Sequence, residues 1–185
     1  VPRIGVRFRL PASMNQVEYF GRGPAENYLD RNAGSMVGLY KSTAEELYFP
    51  YVRPQENGHH TDTRWVSLST GKKGLLIQAD NTIGFNALRN SIEDFDDEEA
   101  TGLSRQWSNF TPEQVANHDE AAAKNVLRRQ HHINNITPRD FVEVCVDLKQ
   151  QGVAGYDSWG SRPEPAYTLP ANREYNWGFT LIPLK

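Results

Sequence analysis

Residues 141–148 read Phe-Val-Glu-Val-Cys-Val-Asp-Leu, which is the clearest strand signal in the chain. Aliphatic side chains occupy every second position, so they share one face, and the residues between them share the other. One face carries Val142, Val144, Val146 and Leu148, and the other carries Glu143, Cys145 and Asp147. A period of two over this length predicts a β-strand rather than a helix.

Strand-like segments recur from one end of the chain to the other. They are Arg3–Leu10, Gln16–Gly21, Ser35–Tyr40, Glu46–Val52, Thr63–Ser69, Gly74–Ala79, Ile83–Leu88 and Tyr175–Leu184. The one convincing helix is Thr111–Asn117, because Thr111 and Gln114 can form a capping box at its start. We therefore predict a single all-β domain over residues 1–185. It is expected to be an antiparallel sandwich of roughly nine to eleven strands with one short helical insertion.

Composition narrows the classes of partner. The chain has 185 residues, 38% of them hydrophobic, and a mean hydropathy of -0.67. It is long enough for a sizeable core and lacks an apolar run that would cross a membrane. The net charge of -3 and the absence of a basic patch argue against a nucleic-acid partner. Cys145 is the single cysteine, so no internal disulfide forms.

The strand at residues 141–148 leads into Gly-Val-Ala-Gly-Tyr-Asp-Ser-Trp-Gly, residues 152–160. Glycines on both sides let the chain turn sharply, so Trp159 is predicted to lie on a loop at the end of a strand. An indole on such a loop suits a flat ligand, because it offers apolar area and one N–H donor. The alternative is a core tryptophan that caps the edge of a sheet.

A second polar segment, Gly21–Arg31, reads Gly-Arg-Gly-Pro-Ala-Glu-Asn-Tyr-Leu-Asp-Arg. Two glycines and a proline exclude a regular helix at its start. Its charged residues are predicted to pair with one another, and they are Arg22, Glu26, Asp30 and Arg31. Such a cluster fixes either a rigid corner or a ligand site.

The third segment, Pro50–Trp65, is the densest polar run in the chain. One interpretation is a hydrogen-bonded loop that shapes a groove. Another is a general acid–base pair of Glu56 with His60, whose side-chain types suit that chemistry. A metal site is the least favoured, because the adjacent His59 and His60 point to opposite faces of a strand.

Six acidic residues follow within Ile92–Gly102, and they are Glu93, Asp94, Asp96, Asp97, Glu98 and Glu99. A calcium loop requires a glycine and a regular ligand spacing that this run lacks. The run is therefore interpreted as a solvated surface segment.

The three polar segments together carry a resemblance. Gly-Arg-Gly-Pro-Ala-Glu-Asn-Tyr-Leu-Asp-Arg, Pro-Gln-Glu-Asn-Gly and Gly-x-x-Gly-x-Asp-Ser-Trp stand in the same order here as in bacterial β-galactosidases of glycoside hydrolase family 2. The chain resembles the C-terminal part of the last domain of that family from Arg3 to Leu184. It departs from the usual form at Ala154, where the family has Gly, and at Tyr156, where the family has Asp. Both departures affect the turn rather than the ring of Trp159.

The resemblance implies a fold and a set of site residues. The fold is an antiparallel super-sandwich similar to that of galactose mutarotase. Trp159 would reach into the active site and stack on the sugar, and Asp157 would also contact substrate. Weaker candidates for substrate binding are Glu56, Asn57 and His60.

The resemblance also implies where the chemistry lies. The family hydrolyses terminal β-galactosides such as lactose with retention, which needs two carboxylates about 5 Å apart. In the family both belong to a separate (β/α)₈ barrel, and this chain has no alternating strand–helix pattern. The chain is therefore expected to be part of a longer protein and to be inactive alone.

Partners and cofactors follow from the same resemblance. The expected partners are a galactoside and the catalytic barrel of the same polypeptide, in a full-length homo-oligomer located in the bacterial cytoplasm or periplasm. No cofactor or metal is expected in this segment, whereas Mg and Na would bind in other domains. Neither nucleic acid nor membrane is an expected partner.

Two other functions remain open. One is a stand-alone carbohydrate-binding module, whose aromatic residues would suffice for binding. The other is a mutarotase-like enzyme that uses His60 with a carboxylate. Galactose added to the isolated chain distinguishes them: the module would bind it, and the enzyme would accelerate exchange of its anomers.

Overall fold

The computed structural model describes residues 1–52, 54–95, 133, 136–157 and 160–185. They fall into two compact units. The first comprises Val1–Phe49, Asn57–Asn90 and Pro138–Lys185, and the second comprises Pro50–Glu56 and Ser91–Thr137. The helix expected at Thr111–Asn117 lies outside the described residues, as does the acidic run from Asp96 onward. The helical insertion and the assignment of the chain to one domain stay predictions.

Seven strands form one antiparallel sheet within the first unit. They are β1 (Arg3–Pro11), β2 (Gln16–Gly23), β3 (Met36–Thr43), β4 (His60–Ser69), β5 (Gly74–Leu88), β6 (Phe141–Gln150) and β7 (Phe179–Leu184). The strand order is β1-β6-β5-β4-β2-β3, and β7 also pairs with β5. Short 3₁₀ turns occur at Ile92–Asp94 and Pro165–Tyr167, and the described residues contain no α-helix. The prediction of an all-β antiparallel fold is confirmed, and the architecture is consistent with a β-sandwich.

β5 connects the different parts of the sheet, because it is 15 residues long and pairs with three other strands. Its Gly74–Ala79 half pairs with β7, and its Gly84–Leu88 part pairs with β6. β4 pairs with both halves, but its register shifts twice between His60 and Trp65. Asp62 lies within this irregular stretch and has a φ of 52°. Such a bulge bends the strand and re-aims the side chains on either side of it.

β6 is buried on both faces, including its acidic side chains, Glu143 at 3% and Asp147 at 0% exposure. Arginines of the neighbouring β1 provide the compensating charge. Arg9 Nε lies 3.0 Å from Glu143 Oε2, and Arg3 Nε lies 3.1 Å from Asp147 Oδ2. A carboxylate removed from water must be paired in this way, because its desolvation costs several kcal/mol, on the order of the attraction it regains.

The described residues contain fewer strands than predicted, because one expected strand is absent and two others form a single strand. The prediction of a strand at Glu46–Val52 is wrong, because a turn at residues 44–47 follows the end of β3. Glu46 N–H donates to Thr43 Oγ1 and Thr43 N–H donates to Glu46 Oε2, as in a capping box. The segments Gly74–Ala79 and Ile83–Leu88 are one continuous strand, and the last strand begins at Phe179 rather than Tyr175.

Candidate functional site

The first candidate site is the glycine-rich loop after β6, residues 152–157. Its path is fixed near β6 by two backbone bonds, from Gln151 N–H to Pro2 O at 2.8 Å and from Gly152 N–H to Tyr167 O at 2.8 Å. Asp157 is exposed on this loop. Trp159 lies outside the described residues, so its contact with sugar stays a prediction.

The carboxylate of Asp30 holds the same loop from the other side. Val153 N–H donates to Asp30 Oδ1 at 3.1 Å, and Ala154 N–H donates to Asp30 Oδ2 at 2.8 Å. A Cβ atom on Gly152 would lie 2.5 Å from Asp30 Cγ, so only glycine allows the carboxylate to approach this closely. Two consecutive amides bound by one carboxylate fix both the position and the direction of the backbone.

Asp30 itself belongs to the corner formed by Gly21–Arg31, in which the predicted cluster of four charges is only half correct. Glu26 pairs with Arg31 at 2.9 Å, as expected. Arg22 instead pairs with Asp62 of the β4 bulge, and Asp30 binds the amides of the glycine-rich loop. The corner thus contacts the two other motif segments rather than closing on itself.

Two side chains join the corner to the segment that leads into β4. Gly58 N–H donates to Glu26 Oε2 at 2.6 Å. Asn27 is fully buried, and its amide donates to Arg22 O and Ala25 O, both at 3.1 Å, while its Oδ1 accepts from Thr61 N–H at 2.9 Å. Every polar atom of this side chain is therefore used, as expected for an amide buried away from water.

His59 is buried beside the corner. Its ring stacks on Tyr28, with centroids 5.6 Å apart, and its Nδ1 lies 2.8 Å from Asn86 Oδ1. Because an amide oxygen can only accept, Nδ1 carries the proton. Burial, assisted by the positive charge of Arg3, lowers the pKa of His59 to about 3. The ring is then neutral near pH 7, so its 4.0 Å approach to Asp147 Oδ2 is not an ion pair there.

His60 occupies a separate part of the core. It stacks on Phe85, with centroids 5.1 Å apart, and its Nδ1 donates to Arg22 O at 3.1 Å. Tyr19 Oη lies 3.3 Å from the same nitrogen. Burial lowers the pKa of His60 to about 4, so this ring is also neutral. At 1% exposure His60 is enclosed by side chains of its own unit.

The remaining candidates have different environments. Asn57 is 2% exposed, its Oδ1 accepts from Phe49 N–H at 3.1 Å, and its backbone oxygen accepts from Asn86 Nδ2 at 2.8 Å. Glu56 is half-buried and belongs to the second unit. Asn57 and His60 are thus core residues, whereas Asp157 is exposed on the loop after β6. Their roles in substrate binding stay predictions.

Sequence reasoning missed the function of Asp30 and Asn27 in joining the segments. Both occur in the Asn-Tyr-Leu-Asp run of the corner. An Asn-x-x-Asp pair beside tight turns could have indicated side chains that bind backbone groups. Within the described ranges, no group of three or more His, Cys, Asp or Glu side chains is arranged to hold a metal ion. No helix in that part of the chain has the length and hydrophobicity to cross a bilayer.

Comparisons with known proteins agree with the three motifs. The family model described as beta galactosidase small chain matches residues 1–181. A β-galactosidase of Priestia megaterium is 35% identical over 185 residues, which is 100% of this chain and 15% of that protein. A β-galactosidase of an Arthrobacter species is 42% identical over 99 residues, 50% of this chain and 10% of that protein. A β-galactosidase of Vibrio cholerae is 29% identical over 181 residues, 98% of this chain and 14% of that protein.

The fold and the motif segments define an antiparallel β-domain in which one polar corner contacts two other loops. The chain belongs to the β-galactosidase small-chain family. It spans 15% or less of the length of each of these three relatives.

Proposed function

We propose that this chain is the part of a β-galactosidase that completes the sugar site of a separate catalytic domain. Family membership and the similarity to β-galactosidases over the whole chain support the proposal. The observation that carries it is the loop of residues 152–157, which the Asp30 carboxylate fixes at Val153 and Ala154. That loop presents Asp157 to solvent and continues directly into Trp159.

In this proposal the catalytic carboxylates of a retaining glycoside hydrolase of family 2 belong to another domain. The chain alone would not hydrolyse a galactoside, and turnover by the isolated chain would contradict this. The proposed partners are a galactoside and the catalytic barrel of the same polypeptide, in a homo-oligomer whose Mg and Na sites belong to other domains. The likeness to the galactose mutarotase fold is part of the same proposal.

The contacts of the weaker candidates favour a supporting function. A general base must reach the proton that it removes, either directly or through one water. His60 instead donates to Arg22 O and is enclosed by Tyr19 and Phe85. Asn57 similarly binds backbone groups of its own unit. We therefore propose that Asn57 and His60 support the loops and that Trp159 and Asp157 contact the sugar.

The test is Trp159→Leu in the complete β-galactosidase, with steady-state kinetics on a small galactoside. Stacking buries apolar area in the bound substrate as well as near the transition state, so KM should rise more than kcat falls. We expect KM to rise about 5- to 150-fold, which corresponds to ~1–3 kcal/mol of lost binding.

The matched control is Trp177→Leu. Trp177 is a half-buried indole that packs on Phe179 next to β7, with ring centroids 5.3 Å apart. Its loss should lower the free energy of unfolding and leave KM unchanged. An unchanged KM in Trp159→Leu, together with lower stability, would show that Trp159 is a core residue and would refute the proposed sugar contact.

A further inference from the structure

Asp30 lies at the tip of a rigid turn. Tyr28 N–H donates to Arg31 O at 3.3 Å, and Arg31 N–H donates to Tyr28 O at 2.8 Å, so Leu29 and Asp30 form a two-residue connection between them. Tyr28 is 1% exposed, and the Arg31 guanidinium lies 5.2 Å from the centre of its ring. The backbone that carries the Asp30 carboxylate is therefore fixed by packing on one side and by paired hydrogen bonds on the other.

The loop that Asp30 binds needs an external support. Ala154 has a φ of 54° and Gly155 a φ of 88°, so the chain adopts the left-handed region at two consecutive residues. For alanine this conformation is unfavourable and persists only where the surroundings impose it. The amide of Ala154 is one of the two that Asp30 binds, so the carboxylate acts at the strained residue itself.

The position of this support matters for the site. Beyond Ala154 the chain reaches Asp157 within three residues and Trp159 within five. A small rotation of the backbone at residues 153–154 is therefore passed on to the residues proposed to contact sugar. Positioning errors of about 1 Å are enough to lower the activity of an enzyme by two orders of magnitude.

We propose that Asp30 is a positioning residue for substrate binding: its carboxylate fixes the Gly152–Asp157 loop in the direction that presents the sugar-contacting residues. This inference rests on the proposed function, because it assigns the loop to the sugar site. Asp30 does not touch the sugar and acts only through the backbone of residues 153 and 154.

The experiment measures steady-state kinetics in the complete β-galactosidase for Asp30→Ala, Asp30→Asn, Trp159→Leu and the double variant Asp30→Ala/Trp159→Leu. Alanine removes both acceptors, so KM should rise by as much as Trp159→Leu raises it, about 5- to 150-fold, with a smaller change in kcat. Asparagine keeps one acceptor oxygen, so its KM should lie between those of the wild type and the alanine variant. Amide exchange at residues 153 and 154 should accelerate in the same order.

The double variant distinguishes positioning from an independent effect. If Asp30 acts through the loop, the KM of the double variant should stay within about twofold of the KM of Trp159→Leu alone, because the effects of coupled residues are not additive. The control for lost stability is Glu45→Ala, which removes a carboxylate that binds Arg89 and accepts from Asn15 Nδ2 at 3.1 Å. It should leave KM unchanged.

Failure of the inference is distinguishable from failure of the proposed function. If Trp159→Leu raises KM while both Asp30 variants fold and leave KM unchanged, the positioning role is refuted and the proposed function stands. The positioning role would also be refuted if the double variant raised KM by the product of the two single increases. If Trp159→Leu itself leaves KM unchanged, the proposed function fails.

Discussion

Gly21 shows how a single hydrogen atom can decide the distance between two strands. It lies in β2, opposite the irregular part of β4, and a Cβ atom there would lie 2.9 Å from Thr63 Cα. Real Cβ atoms essentially never come that close to a backbone carbon. The strands approach each other because position 21 has no side chain, and the buried Thr63 fills the space that remains.

Gly21→Ala is therefore expected to lower the free energy of unfolding by about 1–3 kcal/mol, since the backbone of β4 must shift. Gly34→Ala is the matched control, because a Cβ at Gly34 meets no atom within 4 Å. It should leave stability unchanged or raise it by up to about 1 kcal/mol through the unfolded chain. Chemical denaturation of the two variants tests this, and equal midpoints would contradict the close approach at Gly21.

At the scale of elements, Asn27 is one of the side chains that attach the corner between β2 and β3 to β4. Its amide donates to two carbonyl oxygens of the corner, and its Oδ1 accepts from Thr61 at the start of β4. The backbone makes a second bond between the same two parts, since Asn27 N–H donates to His59 O at 2.7 Å. The side chain and the backbone of Asn27 thus both fix the corner against the start of β4.

Asn27→Asp preserves the size of the side chain but replaces the amide donor with an oxygen that faces Arg22 O and Ala25 O. We expect the free energy of unfolding to fall by on the order of 1–3 kcal/mol, and by more where the new carboxyl is ionised. Asn81→Asp on the exposed part of β5 is the control and should change stability by about 0.5 kcal/mol at most. Similar losses for the two variants, measured by thermal unfolding, would refute the connection through Asn27.

The sequence predicted the elements well where a period of two is sustained, as in Arg3–Leu10 and Phe141–Leu148. It failed at Glu46–Val52, because Thr43 and Glu46 form a local capping turn that competes with the strand. It also divided β5 at residues 80–82, where the pairing with β4 is irregular but the strand continues.

The site was less predictable than the elements for a different physical reason. The loop at residues 152–157 was predicted from its glycines, but its support by Asp30 joins residues that are 123 and 124 positions apart. No local pattern encodes such a contact. The sequence did not predict the burial of His60 either, because an Asn-Gly-His-His run is compatible both with an exposed loop and with the buried start of a strand.

At the scale of the whole molecule, the free energy of unfolding should depend on pH through His59 and His60. Both rings are buried and neutral, with a pKa of about 3 for His59 and about 4 for His60, against 6.5 in an unfolded chain. The positive charge of Arg3 acts on His59, and Asp147 Oδ2 lies 4.0 Å from His59 Nδ1. Tyr19 Oη lies 3.3 Å from His60 Nδ1.

The sign of the effect follows from which state binds protons. Below pH 6.5 the unfolded chain takes up a proton at each histidine, whereas the folded chain does not until the pH approaches 4 or 3. The stability contributed by the neutral rings is thus fully present above about pH 6.5 and is lost as the pH falls. Between pH 7 and pH 5 the loss should be on the order of 2 kcal/mol for each histidine.

His60→Asn removes one of these two titrations while keeping a donor for Arg22 O, because an Asn amide takes the place of the Nδ1–H group. The variant should be less stable than the wild type at pH 7, since it leaves space beside Phe85. Its further loss between pH 7 and pH 5, measured by urea denaturation at both pH values, should be smaller by about 2 kcal/mol. The two proteins carry the same carboxylates, so the difference between their pH dependences reports on position 60. An equal pH dependence in the two proteins would mean that His60 takes up its proton in the folded state near its ordinary pKa, and that the ring is not held neutral by the core.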